Sequence, residues 1–345
     1  MSLTVLSIAY PFSPVSPDAV GGAEQILSQI DAALVATGHR SVVVANAASE
    51  TRGTLIPTAT AFGPITPQER HAAWAEHRRN IVSALRSHAV DVVHMHGIDF
   101  HHYLPLPEPV PVLATLHLPP SWYGCDAFEP RPGVYLHCVS PRQRRECPPG
   151  ARLLPDIENG VPVHALQCRC RRRRFAMTLG RICPEKNVHV ALDAGRRAGI
   201  AVLLGGKVFP YEAHERYFRE QVAPRLDRQR RYIGVVPFLR KRRLLSAARC
   251  LLLPSLAPET SSLVAMESLA CGTPVVAFPT GAVPGIVEHG VTGFLVRDTA
   301  EMADAVEACG AIDREHCRQV ARERFSAERM IARYFDAYQQ LSGRA

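Results

Sequence analysis

Short apolar runs alternate with amphipathic stretches from one end of this chain to the other. In the first half, L-T-V-L-S-I-A-Y from Leu3, S-V-V-V-A-N from Ser41, V-D-V-V-H-M-H from Val90, V-L-A-T-L-H from Val112 and Y-L-H-C-V-S from Tyr135 read as strands. Between the first two, Glu24 to Thr37 carries apolar residues at helical spacing and stops at Gly38. The pattern restarts in the second half with F-A-M-T-L-G, A-V-L-L-G-G, Y-I-G-V-V, C-L-L-L-P-S and P-V-V-A-F, separated by helical stretches such as Val188 to Arg197 and Lys241 to Arg249. Such alternation predicts an α/β protein with parallel sheets.

N-G-V-P-V followed by C-R-C-R-R-R-R reads as turn formers and charge that bury little, which puts a linker near residues 161–174. Two doubly wound domains are expected to face each other, with ligand sites at the carboxyl ends of their strands, in the cleft between them. The boundaries expected are 1–165 for an acceptor-side domain, 166–325 for a donor-binding domain and 326–345 for a terminal helix. In that last segment Met330, Ile331, Tyr334, Phe335 and Tyr338 fall at i, i+3 and i+4 spacing.

A length of 345 residues suits two cores better than one. The apolar and charged fractions, 47% and 21%, are those of a globular enzyme and exclude a disordered or fibrous chain. The start, M-S-L-T-V-L-S-I-A-Y, lacks a basic region before its apolar run, and no apolar run reaches the length of a membrane span, so a cytoplasmic setting is expected. Ten cysteines in a chain of this size fit a reduced thiol pool better than a disulfide framework. Five of them, Cys125, Cys138, Cys147, Cys168 and Cys170, crowd residues 125–170 without a C-x2-C pair, leaving a zinc site there as a minor alternative. The formal charge of +8 implies attraction to anions: phosphates, an acidic acceptor or an anionic membrane face. The Arg run at Arg169 and Arg171 to Arg174, and R-K-R-R at Arg240 to Arg243, lack interleaved aromatic residues, so they read as solvated linker and helix face rather than as nucleic-acid contacts.

The most specific chemistry lies in E-T-S-S-L-V-A-M-E, where Glu259 and Glu267 bracket a helix start placed near Ser261. A carboxylate in a helix made of Leu263, Val264, Ala265, Met266, Leu269 and Ala270 is costly to bury unless something hydrogen-bonds it, and a ligand is one candidate. At about 1.5 Å rise per residue the two acids would lie roughly 12 Å apart, with the N–H groups of the first turn between them. Acid, anion site and acid, in that order, suit a nucleotide-diphosphate sugar: sugar on Glu259, diphosphate on the turn at Ser261, Ser262, Leu263 and Val264, ribose on Glu267. Arg181 and Lys186, in L-G-R-I-C-P-E-K-N after the first strand of the second half, are placed to neutralise a diphosphate leaving group. Gly21 and Gly22 sit at a strand-to-helix turn and would allow close approach of a phosphate or sugar. His94, His96 and His117 end strand-like runs.

E-T-S-S-L-V-A-M-E-S-L-A-C-G-T-P-V-V resembles the E-x7-E segment of retaining GT-B glycosyltransferases, specifically glycosyltransferase family four, with Ser262 where that family often has Gly. The resemblance covers most of the chain and is strongest from Leu179 to Val296. It implies the GT-B fold, two facing Rossmann-like domains, and a terminal helix, F-S-A-E-R-M-I-A-R-Y-F-D-A-Y, that crosses back to the first. It implies a retaining sugar transfer by front-face attack from a nucleotide-diphosphate donor, of unknown base, to an acceptor hydroxyl on a saccharide, lipid-linked or small molecule. The donor is a substrate, and no separate cofactor is implied. The resemblance also makes G-G-A-E the glycine loop, Arg181 and Lys186 the diphosphate ligands, and His117 of A-T-L-H a hydrogen-bonding contact of the donor sugar, with His96 behind it. Metal independence is expected because the chain has no D-x-D pair at a strand end and already supplies positive groups where phosphate would sit. A non-hydrolysing nucleotide-sugar epimerase is the alternative within the fold, and a basic nucleic-acid-binding protein the alternative outside it.

Overall fold

The computed structural model describes residues 2–59, 65–104 and 110–343. The chain divides into two units, Met1–Glu158 with Met330–Ala345, and Asn159–Arg329.

Unit 1 is built on six parallel strands: β1 (Thr4–Ile8), β2 (Arg40–Asn46), β3 (Thr54–Thr58), β4 (Val92–Met95), β5 (Val112–Leu116) and β6 (Val134–Cys138). Their spatial order is β3-β2-β1-β4-β5-β6. Nearly every residue of β1, β2, β4 and β5 is buried, which is why these strands read as continuous apolar runs rather than as alternation. Edge strand β3, T-L-I-P-T, was not legible as a strand: it is short, holds Pro57 and is mostly half-exposed.

Unit 2 repeats the plan with β7 (Phe175–Leu179), β8 (Ala201–Gly205), β9 (Arg230–Tyr232), β10 (Cys250–Leu253), β11 (Val275–Ala277) and β12 (Gly293–Leu295). Their order, β12-β11-β10-β7-β8-β9, is the same 3-2-1-4-5-6 arrangement counted from the opposite edge. Both sheets therefore reverse winding direction once, between β1 and β4 and between β7 and β10, where doubly wound folds bind ligands. Strand β9 comes earlier than the apolar run Y-I-G-V-V predicts, because pairing with β8 joins Val202, Leu203 and Leu204 to Arg230, Arg231 and Tyr232.

The linker reading is corrected. Val161, Val163 and Leu166 are buried in the unit 2 core, and the backbone of Val161 bonds to Phe325 and Ala327, so this segment begins unit 2. The boundary falls at Glu158 rather than at 165. Nor is the Arg run wholly solvated: Arg172 is drawn in to donate to the Cys309 carbonyl. The final helix, Ala327–Ser342, supplies Tyr334 and Tyr338 to unit 1, both fully buried. Among the described residues no helix is long and apolar enough to cross a membrane.

Candidate functional site

In unit 2 the loops after β7 and β10 leave the sheet at its switch point and are stitched together. The carbonyl of Glu185 accepts from the N–H groups of Leu256 (2.8 Å) and Ala257 (3.2 Å). Across that seam Lys186 Nζ meets Glu259 Oε1 at 2.5 Å. Two glycines make the arrangement sterically possible. Gly206, at φ +151°, lacks the Cβ that would strike the Gly180 carbonyl, and Gly281, at φ +53°, lacks one that would strike the backbone of Glu259. The loop after β11 closes over Glu259 accordingly, with the Ala282 N–H donating to its carbonyl at 2.7 Å.

The helix that follows spans Leu263–Ala270, starting two residues later than expected near Ser261. Glu259 therefore lies on the loop, and the helical rise applies only from Leu263 to Glu267. Ser262 is the N-cap residue without a side-chain capping bond, so the first-turn amides rely on other partners. Ser261 Oγ is buried with no hydrogen-bond partner in the structure, a polar atom that a bound oxygen would satisfy.

Glu267, 4% exposed, has a protein partner that the sequence reading did not supply. Lys241 Nζ sits 2.5 Å from its Oε1 and 5.9 Å from the Phe238 ring centroid. The R-K-R-R run is therefore not a uniform solvated face: Lys241 turns inward to the acid, and Arg242 donates to the Ala165 carbonyl. A signal was present in the demand of a carboxylate on so apolar a helix for a cation, yet nothing in the sequence said which of forty Lys and Arg residues would meet it.

Unit 1 holds the remaining candidates. Gly21 is the N-cap of helix Gly22–Ala36, and the space its Cβ would fill is taken by the carboxylate of buried Glu24.

His117 follows β5 and belongs to a hydrogen-bonded histidine chain whose proton positions follow from one carbonyl. His137 Nδ1 lies 3.1 Å from the Cys138 carbonyl, which only accepts, so Nδ1 carries the proton and Nε2 the lone pair. Thr115 then donates its hydroxyl to His137 Nε2 (2.6 Å) and accepts from His94 Nε2 (2.7 Å). His94 Nδ1 is left as acceptor for Tyr338 (2.6 Å) and for His96 Nε2 (3.0 Å). His96 Nδ1 is thereby an acceptor, and His117 Nε2 donates to it at 3.3 Å. All four rings are neutral: burial drives each pKa down, to about 4 for His137 and about 3 for His117, and the neighbouring imidazoles lower those of His94, His96 and His117 further. His117 keeps Nδ1 as its acceptor atom, and Tyr123 OH accepts from its backbone N–H at 3.0 Å.

All ten cysteines are free thiols. The crowded stretch pairs its sulphurs two by two, Cys138 with Cys147 at 3.5 Å and Cys168 with Cys170 at 3.0 Å. Among the described residues no three metal-ligating side chains of that stretch converge.

The comparisons agree with the two sheets. Sucrose-phosphate synthase from Thermosynechococcus elongatus superposes with a TM-score of 0.80 at 18% identity, covering 99% of this chain and all of that one. HepE of Anabaena, solved in complex with UDP-glucose, superposes with a TM-score of 0.76 at 18% identity, over 97% of this chain and all of that one. The fold is thus GT-B, two Rossmann-like units in one chain. Residues 173–310 match the model of the glycosyl transferases group 1 family. A D-inositol 3-phosphate glycosyltransferase of Corynebacterium efficiens is 33% identical over 159 residues, 43% of this chain and 35% of that protein. The chain spans about a third of the length of such curated relatives. The family match thus falls within unit 2 of a GT-B fold, and the relatives' names are consistent with glycosyltransferase family four.

Proposed function

We propose that the chain transfers a sugar from a nucleotide-diphosphate donor to an acceptor hydroxyl with retention at the anomeric carbon, by front-face attack and without a metal in the chemical step. The observation that carries this reading is the Lys186–Glu259 pair at the unit 2 switch point, set beside a helix N-terminus and the orphaned Ser261 hydroxyl. A departing diphosphate needs donors and positive charge. Lys186, Arg181, Ser261, Ser262 and the amides of Leu263 and Val264 supply both, while Glu259 and Glu267 accept from sugar and ribose hydroxyls. In this scheme a diphosphate oxygen takes the acceptor's proton, so no protein nucleophile is needed. The protein's share is orientation and charge stabilisation. The HepE complex with UDP-glucose supports a UDP-sugar as the first donor to try.

The test is a thermal-shift screen of nucleotide-diphosphate sugars, because a bound donor raises the melting temperature by mass action. Transfer to candidate acceptors follows, with the anomer of the product read by NMR. An inverted anomer overturns the mechanism, and activity that vanishes on chelation and returns with magnesium or manganese overturns the metal-free step.

A further inference from the structure

Between Arg181 and Lys186 the same loop carries a second set of chemically able side chains. Cys183, Glu185 and His214 place one ligand atom each, sulphur, carboxylate oxygen and ring nitrogen, within 4.8 Å of one another. They come from two segments. Cys183 and Glu185 belong to the loop after β7, while His214 lies in helix Glu212–Tyr217, which follows β8. Cys183 is fully buried and His214 is 8% exposed. His214 Nδ1 has no hydrogen-bond partner, which leaves a buried polar nitrogen unpaid by any protein group. Its ring is held edge-on by Tyr211, with centroids 5.1 Å apart, and Glu185 is anchored through its carbonyl to Leu256 and Ala257.

We infer that Cys183, Glu185 and His214 form a zinc site that ties the loop bearing Arg181 and Lys186 to the segment after β8. Thiolate, carboxylate and imidazole are zinc's preferred donors, and bond lengths of about 2.0–2.3 Å put ligand atoms of a tetrahedral site roughly 3.3–3.7 Å apart. Shifts of about an ångström bring this trio to that spacing. Charge selects the ion as well. Arg181 lies close enough to act on all three groups and would repel a site with excess positive charge. One thiolate and one carboxylate cancel the charge of a divalent zinc, and on binding the Cys183 proton leaves to solvent as the Zn–S bond forms. The fourth position belongs to water. The site's task is to hold a loop, so it stands beside a metal-free transfer step and does not depend on the glycosyltransferase reading.

The test uses the full chain stripped with a chelator and titrated with cobalt(II), which reports thiolate ligation as an intense near-ultraviolet charge-transfer band. The wild type is expected to bind one equivalent with that band, and to melt higher with zinc than without. Cys183→Ser should lose the band, whereas Cys168→Ser with Cys170→Ser should keep it. His214→Ala and Glu185→Gln, measured by competition with a chelator, should each weaken zinc at least about a hundredfold, since even outer partners of a metal ligand cost 10- to 100-fold. These two variants carry the test if Cys183→Ser does not fold. A wild type without the thiolate band, a band that survives Cys183→Ser, or zinc affinity in both other variants within about threefold of wild type would each overturn the site.

Discussion

Lys241 shows how a single residue changes the reading of its neighbour. With its ammonium 2.5 Å from Glu267, the acid is compensated before any ligand arrives, and the proposed ribose role would rest on the remaining acceptor capacity of the carboxylate. Lys241→Met leaves Glu267 buried without its cation, and a loss of about 3 kcal/mol of stability is expected in denaturant titrations. Glu267→Gln should weaken binding of both the donor and the free nucleotide diphosphate by about 1.5–3 kcal/mol, checked by calorimetry. Unchanged affinity would make Glu267 structural. For His117, long-range proton–nitrogen NMR should find the proton on Nε2 in His117 and on Nδ1 in His137. The opposite tautomer in either ring breaks the chain of donors derived from the Cys138 carbonyl. With His117 read as a contact of the donor sugar, His117→Ala should cut transfer while leaving nucleotide-diphosphate affinity near wild type.

At the scale of elements, β4, β5 and β6 bring His94, Thr115 and His137 onto one face of the sheet, against Tyr334 and Tyr338 of the terminal helix. Asp156 and Arg333 are the charged groups that act on His137, in opposite directions. The pH dependence has a definite sign. Folded pKa values of about 4 for His137 and about 3 for His117 lie below the unfolded value of about 6.5, so the unfolded chain binds more protons in between. Stability is full above about pH 6.5 and falls as the pH drops towards those folded values. Urea midpoints at stepped pH should show this loss, and His137→Asn should flatten it. The sequence marked His94, His96 and His117, though not His137, as ends of strands, since an apolar run closing on His is visible in one dimension. It did not show that these three and His137 share one hydrogen-bonded chain, because that depends on the lateral order β1-β4-β5-β6, which no local pattern encodes.

Over the whole molecule, the last sixteen residues are assigned to the first unit although the second intervenes in sequence. Truncation before Met330 removes Tyr334 and Tyr338 and strips the His94 and Thr115 cluster of two partners. Scanning calorimetry should then show a lowered transition for unit 1, with the transition of unit 2 little changed. A single unshifted transition would mean that the helix adds nothing to the unit 1 core. The milder Tyr338→Phe removes one buried hydroxyl and should cost about 1 kcal/mol.

The sequence by itself determined the α/β class, nine of the twelve strands among the described residues as apolar runs, the helix Val188–Arg197 to the residue, and the candidate acids, cations and histidine. These are properties of local periodicity and residue chemistry, which the chain states directly. Only the tertiary structure decided that Val161, Val163 and Leu166 are core and not linker, that Lys241 and Lys186 meet Glu267 and Glu259, and that Glu24 covers Gly21. Each of those depends on a partner at least twenty residues away or on a side chain's direction, apart from Glu24, which folds back over three residues. Spacing along the chain fixes what a residue can do. The order in which strands lie side by side fixes which residue it does it with, because burial and pairing are settled only when distant loops leave the sheet at the same switch point.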